Sequence, residues 1–244
     1  MNTFPGKLLA VALCGAMIYT EWRRGYFAHI PRFIRHRDVL VCVLTLGVSA
    51  AIAAVLLLFD PWLQTAAQGL RAPLVEDLIR FGGWLGQGTT LWFILLTIYA
   101  MALILRRVAV TAGSVGCVVS AALASVLSSI IKWGIARARP NANLGHLAFF
   151  HWSEALRNHA RFQSFPSGDT VIVAAVAWYL LYRCHKVPLG VRWILLVVPL
   201  ATACSRVLLN KHWPSDTVFS IGLALVSAHC VVRYETFSAH QYDS

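Results

Sequence analysis

The stretch "SRVLLNKHWPSD", Ser205 to Asp216, is polar but lies between two long apolar runs. It carries an arginine, a lysine, a histidine and an aspartate, which are residue types that are rarely found within a lipid bilayer. An apolar run, a short polar stretch and a second apolar run together indicate two membrane helices joined by a turn at the water interface. The same alternation continues towards the N-terminus, so the stretch indicates a polytopic helical membrane protein.

The composition supports this interpretation. The chain has 244 residues, of which 58% are hydrophobic and only 13% are charged, whereas a soluble domain has roughly 25% charged residues. Its formal net charge of +11 would suggest nucleic acid as a partner of a soluble protein. In a membrane protein, basic cytoplasmic loops and cations that bind a phosphate explain the charge better, so no nucleic-acid partner is expected. The six cysteines include no CxxC pair, which predicts neither a disulfide framework nor a metal site.

The apolar runs that could cross about 30 Å of hydrocarbon predict an all-α polytopic bundle of six transmembrane helices. The predicted spans are residues 39–59, 89–105, 111–131, 169–183, 192–205 and 216–232. The predicted regions are an N-terminal cytoplasmic or interfacial segment (1–38), a six-span core (39–232) and a cytoplasmic tail (233–244). The third span is rich in Gly, Ala and Ser, which predicts close packing against its neighbours.

Three other segments are predicted to lie at the membrane surface. The N-terminal run "LLAVALCGAMIYT" is short for a crossing and precedes an Arg-rich aromatic stretch, which favours an interfacial helix on the cytoplasmic face over a seventh crossing. Residues 60–88 are amphipathic, with Trp62 and Trp84 near the edges, and are expected at the outer interface. The loop 141–165 is either a lid that recognises a head group or an interfacial helix, and the second is favoured.

Three polar clusters are predicted to share one face of the membrane. "KWGIARARP" closes the third span, "FPSGDT" opens the fourth, and the stretch quoted first joins the fifth span to the sixth. Because successive crossings alternate in direction, the end of the third span, the start of the fourth and the turn between the fifth and sixth fall on the same side. This parity holds even if the boundaries are wrong by several residues.

All three clusters contribute groups that could bind phosphate. Lys132, Arg139 and Arg206 are three cations that could surround a dianion, and an arginine can offer two donors to phosphate oxygens. Ser167 and Gly168 stand at a predicted helix start, where free N–H groups and the helix dipole attract anions. Ser167 taken alone would more often be a simple N-cap.

The third cluster contains a candidate nucleophile. Pro214 suits the first turn of a helix, and Asp216 follows His212 by four residues, so the two side chains could share a face. The carboxylate could then hold one ring nitrogen and fix the tautomer of a neutral imidazole. An imidazole held in this way is a plausible nucleophile.

The pattern K-x6-RP, then PSG, then SR-x5-H-x3-D resembles the type 2 phosphatidic-acid phosphatase superfamily over about residues 39–232. This resemblance implies that His212 attacks phosphorus and forms a phosphohistidine, while Asp216 orients it. It also implies that the phosphoryl oxygens are bound by Lys132, Arg139, Arg206 and the Ser167–Gly168 region. No metal and no other cofactor are expected, because arginine and lysine take the place of a divalent cation.

Asp169 departs from the family pattern, which usually has PSGH where this chain has PSGD. The usual histidine protonates the leaving group, whereas an aspartate with an ordinary pKa is ionised at neutral pH and is a poor acid. Asp169 could stay protonated through burial, or a loop histidine (His146, His151 or His159) could replace it. Alternatively, the leaving group could be weakly basic, as in a polyprenyl diphosphate or the 1-phosphate of lipid A. Asp169 could equally be a tolerated variant with no bearing on the substrate.

The sequence therefore predicts a lipid phosphatase of the bacterial cytoplasmic membrane whose site faces the periplasm or exterior. Its substrate is expected to be a lipid phosphate or diphosphate, with a polyprenyl diphosphate or lipid A 1-phosphate favoured. A phosphotransferase that uses the same site and a non-catalytic lipid-phosphate binding protein are the alternatives. A channel is disfavoured because the ionisable residues lie at span ends. The sequence does not predict the oligomeric state.

Overall fold

The computed structural model of the chain describes residues 4–24, 36–70, 77, 79–80, 83–84, 87–183 and 188–242. Parts of the predicted N-terminal segment 1–38 and much of the stretch 60–88 therefore lie outside the described residues. The helices are α1 (Phe4–Arg23), α2 (His36–Gly69), α3 (Gly88–Ile104), α4 (Val108–Ile135), α5 (Trp152–Arg157), α6 (His159–Phe162), α7 (Gly168–Arg183), α8 (Leu189–Leu208) and α9 (Pro214–Tyr242).

Every run predicted as a span is a helix, namely α2, α3, α4, α7, α8 and α9. Four of these, α2, α4, α8 and α9, are long and apolar enough to cross a membrane by length and composition. Helix α3 has 17 residues and α7 has 16, so α7 rises only about 24 Å and its polar start lies near the interface. The predicted class, an all-α membrane helical bundle, is confirmed, while the number of crossings stays a prediction.

Helices α4 and α9 form the centre of the bundle. Half of the apolar window of α4 and 61% of that of α9 are buried, compared with 11% for α2. Gly116 of α4 lies so close to Tyr179 of α7 that an added Cβ would stand 2.0 Å from the tyrosine oxygen. This confirms the close packing that the small residues of the third span predict. Helix α2 instead exposes Val48, Val55 and Leu58, a face suited to lipid.

Helix α1 packs against the rest of the bundle through one side. Its buried side chains are Ala10, Cys14, Met17 and Glu21, which form one stripe at helical spacing. Cys14 and Met17 pack in the same apolar cluster as Leu95 and Tyr99 of α3, and Tyr99 Oη donates a hydrogen bond to Glu21 Oε1 at 2.7 Å. Helix α1 therefore runs along α3. It is not among the described helices that are long and apolar enough to cross a membrane by length and composition, and the interfacial position of this segment stays a prediction.

Helix α2 is longer than the predicted span 39–59. It continues through Asp60 and Pro61 to Gly69, so residues 60–69 extend this helix and do not begin a separate interfacial segment. Beyond the proline, Gln64 Nε2 donates to the carbonyl of Val207 at 3.0 Å and to Asn210 Oδ1 at 2.8 Å. The end of α2 is thereby attached to the turn between α8 and α9.

The loop 141–165 supports the segment that follows α4. Ala136 ends α4 in the left-handed region, with φ of 43°. The next residues are held by the loop, since the N–H of Ala138 donates to Ala148 O at 2.8 Å and that of Arg139 to Arg161 O at 2.7 Å. The exposed apolar side chains of the loop are Leu144, Leu147, Phe150, Trp152 and Leu156. This surface agrees with the favoured interpretation of an interfacial segment.

Candidate active site

The motif residues surround one cavity of about 450 Å³ at one end of the bundle. Its walls contain residues from all three polar clusters, namely Lys132, Arg139, Gly168, Asp169 and His212. Apolar side chains of α1, α3 and α7 complete it, among them Val11, Trp92 and Ile172. The cavity therefore combines charged and apolar lining, as a lipid with a phosphorylated head group requires.

His212 is positioned by the turn between α8 and α9. Its backbone N–H and that of Lys211 both donate to the carbonyl of Arg206, at 3.3 and 3.0 Å, which explains the five-residue gap between the arginine and the histidine. The side chain is buried, and its Nδ1 lies 2.7 Å from the carbonyl oxygen of Ser164. A carbonyl only accepts hydrogen bonds, so Nδ1 carries the proton and Nε2 keeps a free lone pair.

Asp216 does not hold the imidazole in the way that the sequence predicts. The distance from His212 Nδ1 to Asp216 Oδ2 is 3.7 Å, which is too long for a hydrogen bond, and the Ser164 carbonyl takes that role. Asp216 is fully buried and accepts from Ser164 Oγ at 2.5 Å and from the N–H of Trp213 at 2.9 Å. The contact to Trp213 is the carboxylate half of a capping box at the start of α9. Asp216 is thus a fixed negative charge beside the ring.

The protonation of His212 follows from these surroundings. Burial lowers the pKa of its imidazole below the ordinary value, the nearby cations Arg139 and Lys132 act in the same direction, and Asp216 opposes them. A lowered pKa keeps the ring neutral at physiological pH. The candidate nucleophile therefore retains the lone pair that attack on phosphorus needs.

The three cations have different environments. Lys132 Nζ donates to the carbonyls of Gln163, at 3.1 Å, and Pro166. Arg139 reaches the cavity, and its Nε atom is buried without a hydrogen-bond partner among the described residues. Arg206 lies behind the cavity wall, where it pairs with Asp169 and donates to the carbonyl of Gly83. The Nε atom of Arg206 is also without a partner in the described part of the chain, but Arg139 lines the cavity and Arg206 does not, so Arg139 is the better placed of the two arginines to bind an incoming anion.

Asp169 acts as a hydrogen-bond acceptor at both of its oxygens. Its Oδ1 accepts from the backbone N–H of Gly88 at 3.0 Å, and its Oδ2 lies 3.2 Å from the guanidinium of Arg206. About a third of the side chain is exposed, and it lines the cavity. Because both partners are donors, the arrangement suits an ionised carboxylate and provides no acid for a leaving group.

Ser167 and Gly168 are placed differently from each other. Ser167 is buried and its side chain does not line the cavity; its hydroxyl lies 2.9 Å from that of Thr170, and its N–H donates to Ser220 Oγ at 2.7 Å. Ser167 stands just before α7, where its carbonyl accepts from the N–H of Val171 at 3.0 Å, but its hydroxyl meets a side chain and not the backbone N–H that an N-cap bonds. Gly168 begins α7 and does line the cavity, so backbone there can approach an anion closely.

Of the loop histidines that could replace the missing acid, His146 and His151 are not at the cavity. The His146 ring packs edge-on against Trp213, with centroids 6.3 Å apart. The His151 ring packs against Phe162, and the side chain of His159 lies outside the described residues. Neither His146 nor His151 lines the cavity.

Two charged residues without a predicted role prove to be fully buried beside the site, Asp60 and Arg137. Arg137 bridges Asp60 and Asp216, with N–O distances of 2.7 and 2.5 Å. An aspartate at the end of an apolar run was the sequence signal for Asp60. Arg137 was visible as a member of the first cluster, but the K-x6-RP pattern selects Arg139 and assigns no role to Arg137.

The fold and the three motifs define a class of membrane protein, and the family comparison identifies it. The chain belongs to the PAP2 superfamily, whose model matches residues 113–239, slightly more than half of its length. In the part of the chain that is described, no group of three or more His, Cys, Asp or Glu side chains could hold a metal ion.

Several curated relatives share part of the sequence. A lipid A 1-phosphatase of Rhizobium etli is 30% identical over 122 residues, covering 45% of this chain and 48% of that protein. The undecaprenyl-diphosphatase BcrC of Bacillus subtilis is 30% identical over 84 residues, covering 34% and 42%. The chain thus spans about half the length of the curated relatives it matches, or less.

Two solved structures have the same fold. A PAP2-type phosphatidylglycerolphosphate phosphatase from Bacillus subtilis aligns with a TM-score of 0.61 at 22% identity, covering 84% of this chain and 98% of the other. The crystal structure of Aquifex aeolicus LpxE aligns with a TM-score of 0.55 at 20% identity, covering 71% and 94%. At these identities the likeness concerns the fold alone.

Proposed function

We propose that this protein is an integral membrane phosphatase that hydrolyses a lipid phosphate or diphosphate through a phosphohistidine on His212. The observation that carries the proposal is the single cavity that contains a buried neutral imidazole together with Lys132 and Arg139. A protein that only binds lipid phosphate needs the cations but does not need a neutral imidazole with its Nδ1–H fixed and its Nε2 lone pair free.

In the proposed reaction, Arg139, Lys132 and the N-terminus of α7 at Gly168 bind the phosphoryl oxygens, and Arg206 supplies positive charge from behind Asp169. The Nε2 lone pair of His212 attacks phosphorus as the P–O bond to the lipid breaks, and that bond's electron pair leaves with the lipid oxygen. The carbonyl of Ser164 holds the Nδ1 proton while positive charge develops on the ring, and the carboxylate of Asp216 stabilises this charge.

The second step regenerates the histidine. Water attacks the phosphorus, the P–N bond breaks, and its electron pair returns to Nε2. Inorganic phosphate is released, and the proton from water passes to phosphate or solvent. The same intermediate would serve a phosphotransferase if an alcohol or phosphate replaced water, so release of free phosphate without an added acceptor separates these two functions.

The hydrogen-bond partners of Asp169 support the proposal that the substrate has a weakly basic leaving group. As an acceptor for both Gly88 and Arg206, it does not supply the proton that a simple alkoxide leaving group needs. Protonation by a general acid matters less when the leaving group is a polyprenyl phosphate, released from a diphosphate, or the anomeric oxygen of a sugar 1-phosphate. The names of the curated relatives, a lipid A 1-phosphatase and an undecaprenyl-diphosphatase, agree with these two substrate classes.

We place the site on the periplasmic or outer face of a bacterial cytoplasmic membrane. The support is the distribution of the 21 lysines and arginines: the predicted spans put twelve of them on the opposite side, among them Arg23, Arg106 and Arg183, and nine on the side of the site, a bias that marks the opposite side as cytoplasmic. The substrate would then be reached from the outer leaflet, with its tail beside the apolar wall formed by Val11, Trp92 and Ile172.

The test of this function is phosphate release by the purified full chain from undecaprenyl diphosphate, lipid A, phosphatidylglycerophosphate and phosphatidic acid. General acid catalysis contributes roughly 10² to 10⁴ in rate, so we expect phosphatidic acid to be hydrolysed about 100-fold more slowly than the first two. The variant Asp169→His restores an acid and is expected to accelerate phosphatidic acid turnover selectively, whereas Asp169→Asn is not.

Equal or faster hydrolysis of phosphatidic acid by the unaltered protein would contradict the role given to the leaving group. No phosphate release from any of the four lipids would contradict the proposed function itself.

A further inference from the structure

We infer that Asp60 and Arg137 are positioning residues that fix Asp216 and keep a net negative charge behind His212, an inference that rests on the proposed function. Neither residue lines the cavity. Both are fully buried and share Ser215 as a partner, and Arg137 also pairs with Asp216; Ser215 and Asp216 lie in the first turn of α9, just after the candidate nucleophile. Their effect on the reaction would therefore pass through Asp216.

Arg137 has no capacity left for a substrate. Its NH1 donates to Asp216 Oδ1 at 2.5 Å and to Ser215 Oγ at 2.8 Å. Its NH2 donates to Asp60 Oδ2 at 2.7 Å, and both NH2 and Nε donate to the carbonyl of His146, at 2.8 and 3.1 Å. All three guanidinium nitrogens are thus occupied by the protein. Although Arg137 belongs to the KWGIARARP cluster, its role differs from that of the cavity residue Arg139.

Asp60 completes the bridge from another helix. Besides Arg137, it accepts from the backbone N–H of Ser215 at 3.0 Å and from Ser215 Oγ at 2.5 Å. The carboxylate therefore joins the C-terminal part of α2 to the N-terminal turn of α9, where backbone N–H groups and the helix dipole favour negative charge. This contact also fixes the rotation of the turn that carries Asp216.

The cluster of Asp60, Arg137 and Asp216 carries a net negative charge. Asp60 and Asp216 each contribute one negative charge and Arg137 one positive charge, so one negative charge remains. Because Arg137 is shared between two carboxylates, it does not fully neutralise Asp216. The remaining charge lies beside His212, whose ring becomes positive when Nε2 binds phosphorus. Fixed charge at the place where opposite charge develops lowers the barrier without reorganisation.

Other charges also act on His212 and must be kept constant in a test. They are Lys132 from α4, Arg139 from the segment after α4, Asp169 from α7 and Asp216 from α9. Arg206 and Lys211 act on Asp169. Lys211 directly precedes His212, and Arg206 lies in the last turn of α8. Asp60→Asn changes none of these residues; it removes the negative charge behind Asp216 together with one of the two oxygens that accept from Arg137 and Ser215.

The experiment compares Asp60→Asn with Asp38→Asn in the full-length protein, using the preferred lipid from the panel. Asp38 is a matched control, since it lies on the same helix, in its first turn, and is paired with Arg233 at 2.9 Å. Partners that orient reacting groups contribute roughly 10- to 100-fold. We expect Asp60→Asn to lower kcat by this factor with little change in KM, and we expect Asp38→Asn to change neither.

The pH profile separates positioning from loss of structure. Removing a negative charge lowers the pKa of a nearby histidine, so the acid limb of kcat/KM should move to lower pH in Asp60→Asn. A merely loosened site would admit water and weaken the main cause of the lowered His212 pKa, which is burial. That loosening would move the limb to higher pH. Asp60→Glu keeps the charge, and its limb should stay at the position of the unaltered protein.

The inference would be overturned if Asp60→Asn changed neither kcat nor the position of the acid limb of kcat/KM. It would also be overturned if that acid limb moved to higher pH. Either result would leave the proposed function intact. If Asp60→Asn does not fold, Ser215→Ala provides the second test. It removes the hydroxyl that joins Asp60 and Arg137, so kcat should fall at constant KM, and an unchanged kcat would again overturn the inference. Absence of turnover in the unaltered protein would instead contradict the proposed function.

Discussion

Replacement of His212 by glutamine is expected to reduce phosphate release by at least about 10³-fold, since removal of a catalytic nucleophile or its base has effects of this size or larger. Glutamine has a similar volume to histidine and can still donate to the Ser164 carbonyl, but it offers no nucleophilic nitrogen. The cations Lys132, Arg139 and Arg206 remain, so the variant should still bind inorganic phosphate or vanadate.

The matched control is His151→Gln, a histidine of the loop 141–165 that packs against Phe162 and does not line the cavity. It should keep the kcat of the unaltered protein. Turnover by His212→Gln within tenfold of the unaltered protein would exclude a phosphohistidine on this residue. Loss of phosphate binding together with activity would indicate a collapsed site.

Replacement of Arg137 by methionine is expected to destabilise the protein by about 3–5 kcal/mol, because breaking a buried ion pair from one side leaves an uncompensated charge. Here two carboxylates, Asp60 and Asp216, would lose their shared cation at once. The packing of the guanidinium over the rings of Phe149 and Trp213, at 5.0 and 5.5 Å, would be lost as well. Unfolding in detergent, followed by tryptophan fluorescence, measures the effect.

The control for this change is Arg157→Met. Arg157 is an exposed residue of α5, and substitutions at such positions usually stay within about 0.5 kcal/mol. Equal stability of the Arg137→Met and Arg157→Met variants would contradict the buried charge bridge.

The sequence predicts the main helices and the gathering of the motifs because both depend on simple regularities. Long apolar runs define the helices, and the alternation of crossings brings Lys132, Gly168 and His212 to one end of the bundle whatever the exact boundaries are. The structure agrees, since these residues line the same cavity. The spacing of Arg206 and His212 is equally local, because a single turn joins them.

The partners of the motif residues depend on contacts between distant segments, which spacing does not reveal. The carbonyl that holds His212 comes from Ser164, and backbone groups leave no mark in the residue pattern. The choice between Arg137 and Arg139 depends on the left-handed residue Ala136 and on the loop that holds the following segment. The packing of α1 along α3 likewise leaves little mark in the sequence, because its buried stripe mixes alanine, cysteine, methionine and glutamate and gives little amphipathic signal.

The most direct measurement is the location of the phosphoryl group on the enzyme during turnover. Purified protein would be mixed with phosphate-labelled substrate, quenched rapidly in alkaline denaturant, digested and mapped by mass spectrometry. We predict one phosphoryl group on His212, stable in alkali and lost in acid, and no label in His212→Gln. A phosphoryl group on another side chain, or equal labelling of His212→Gln, would contradict the account.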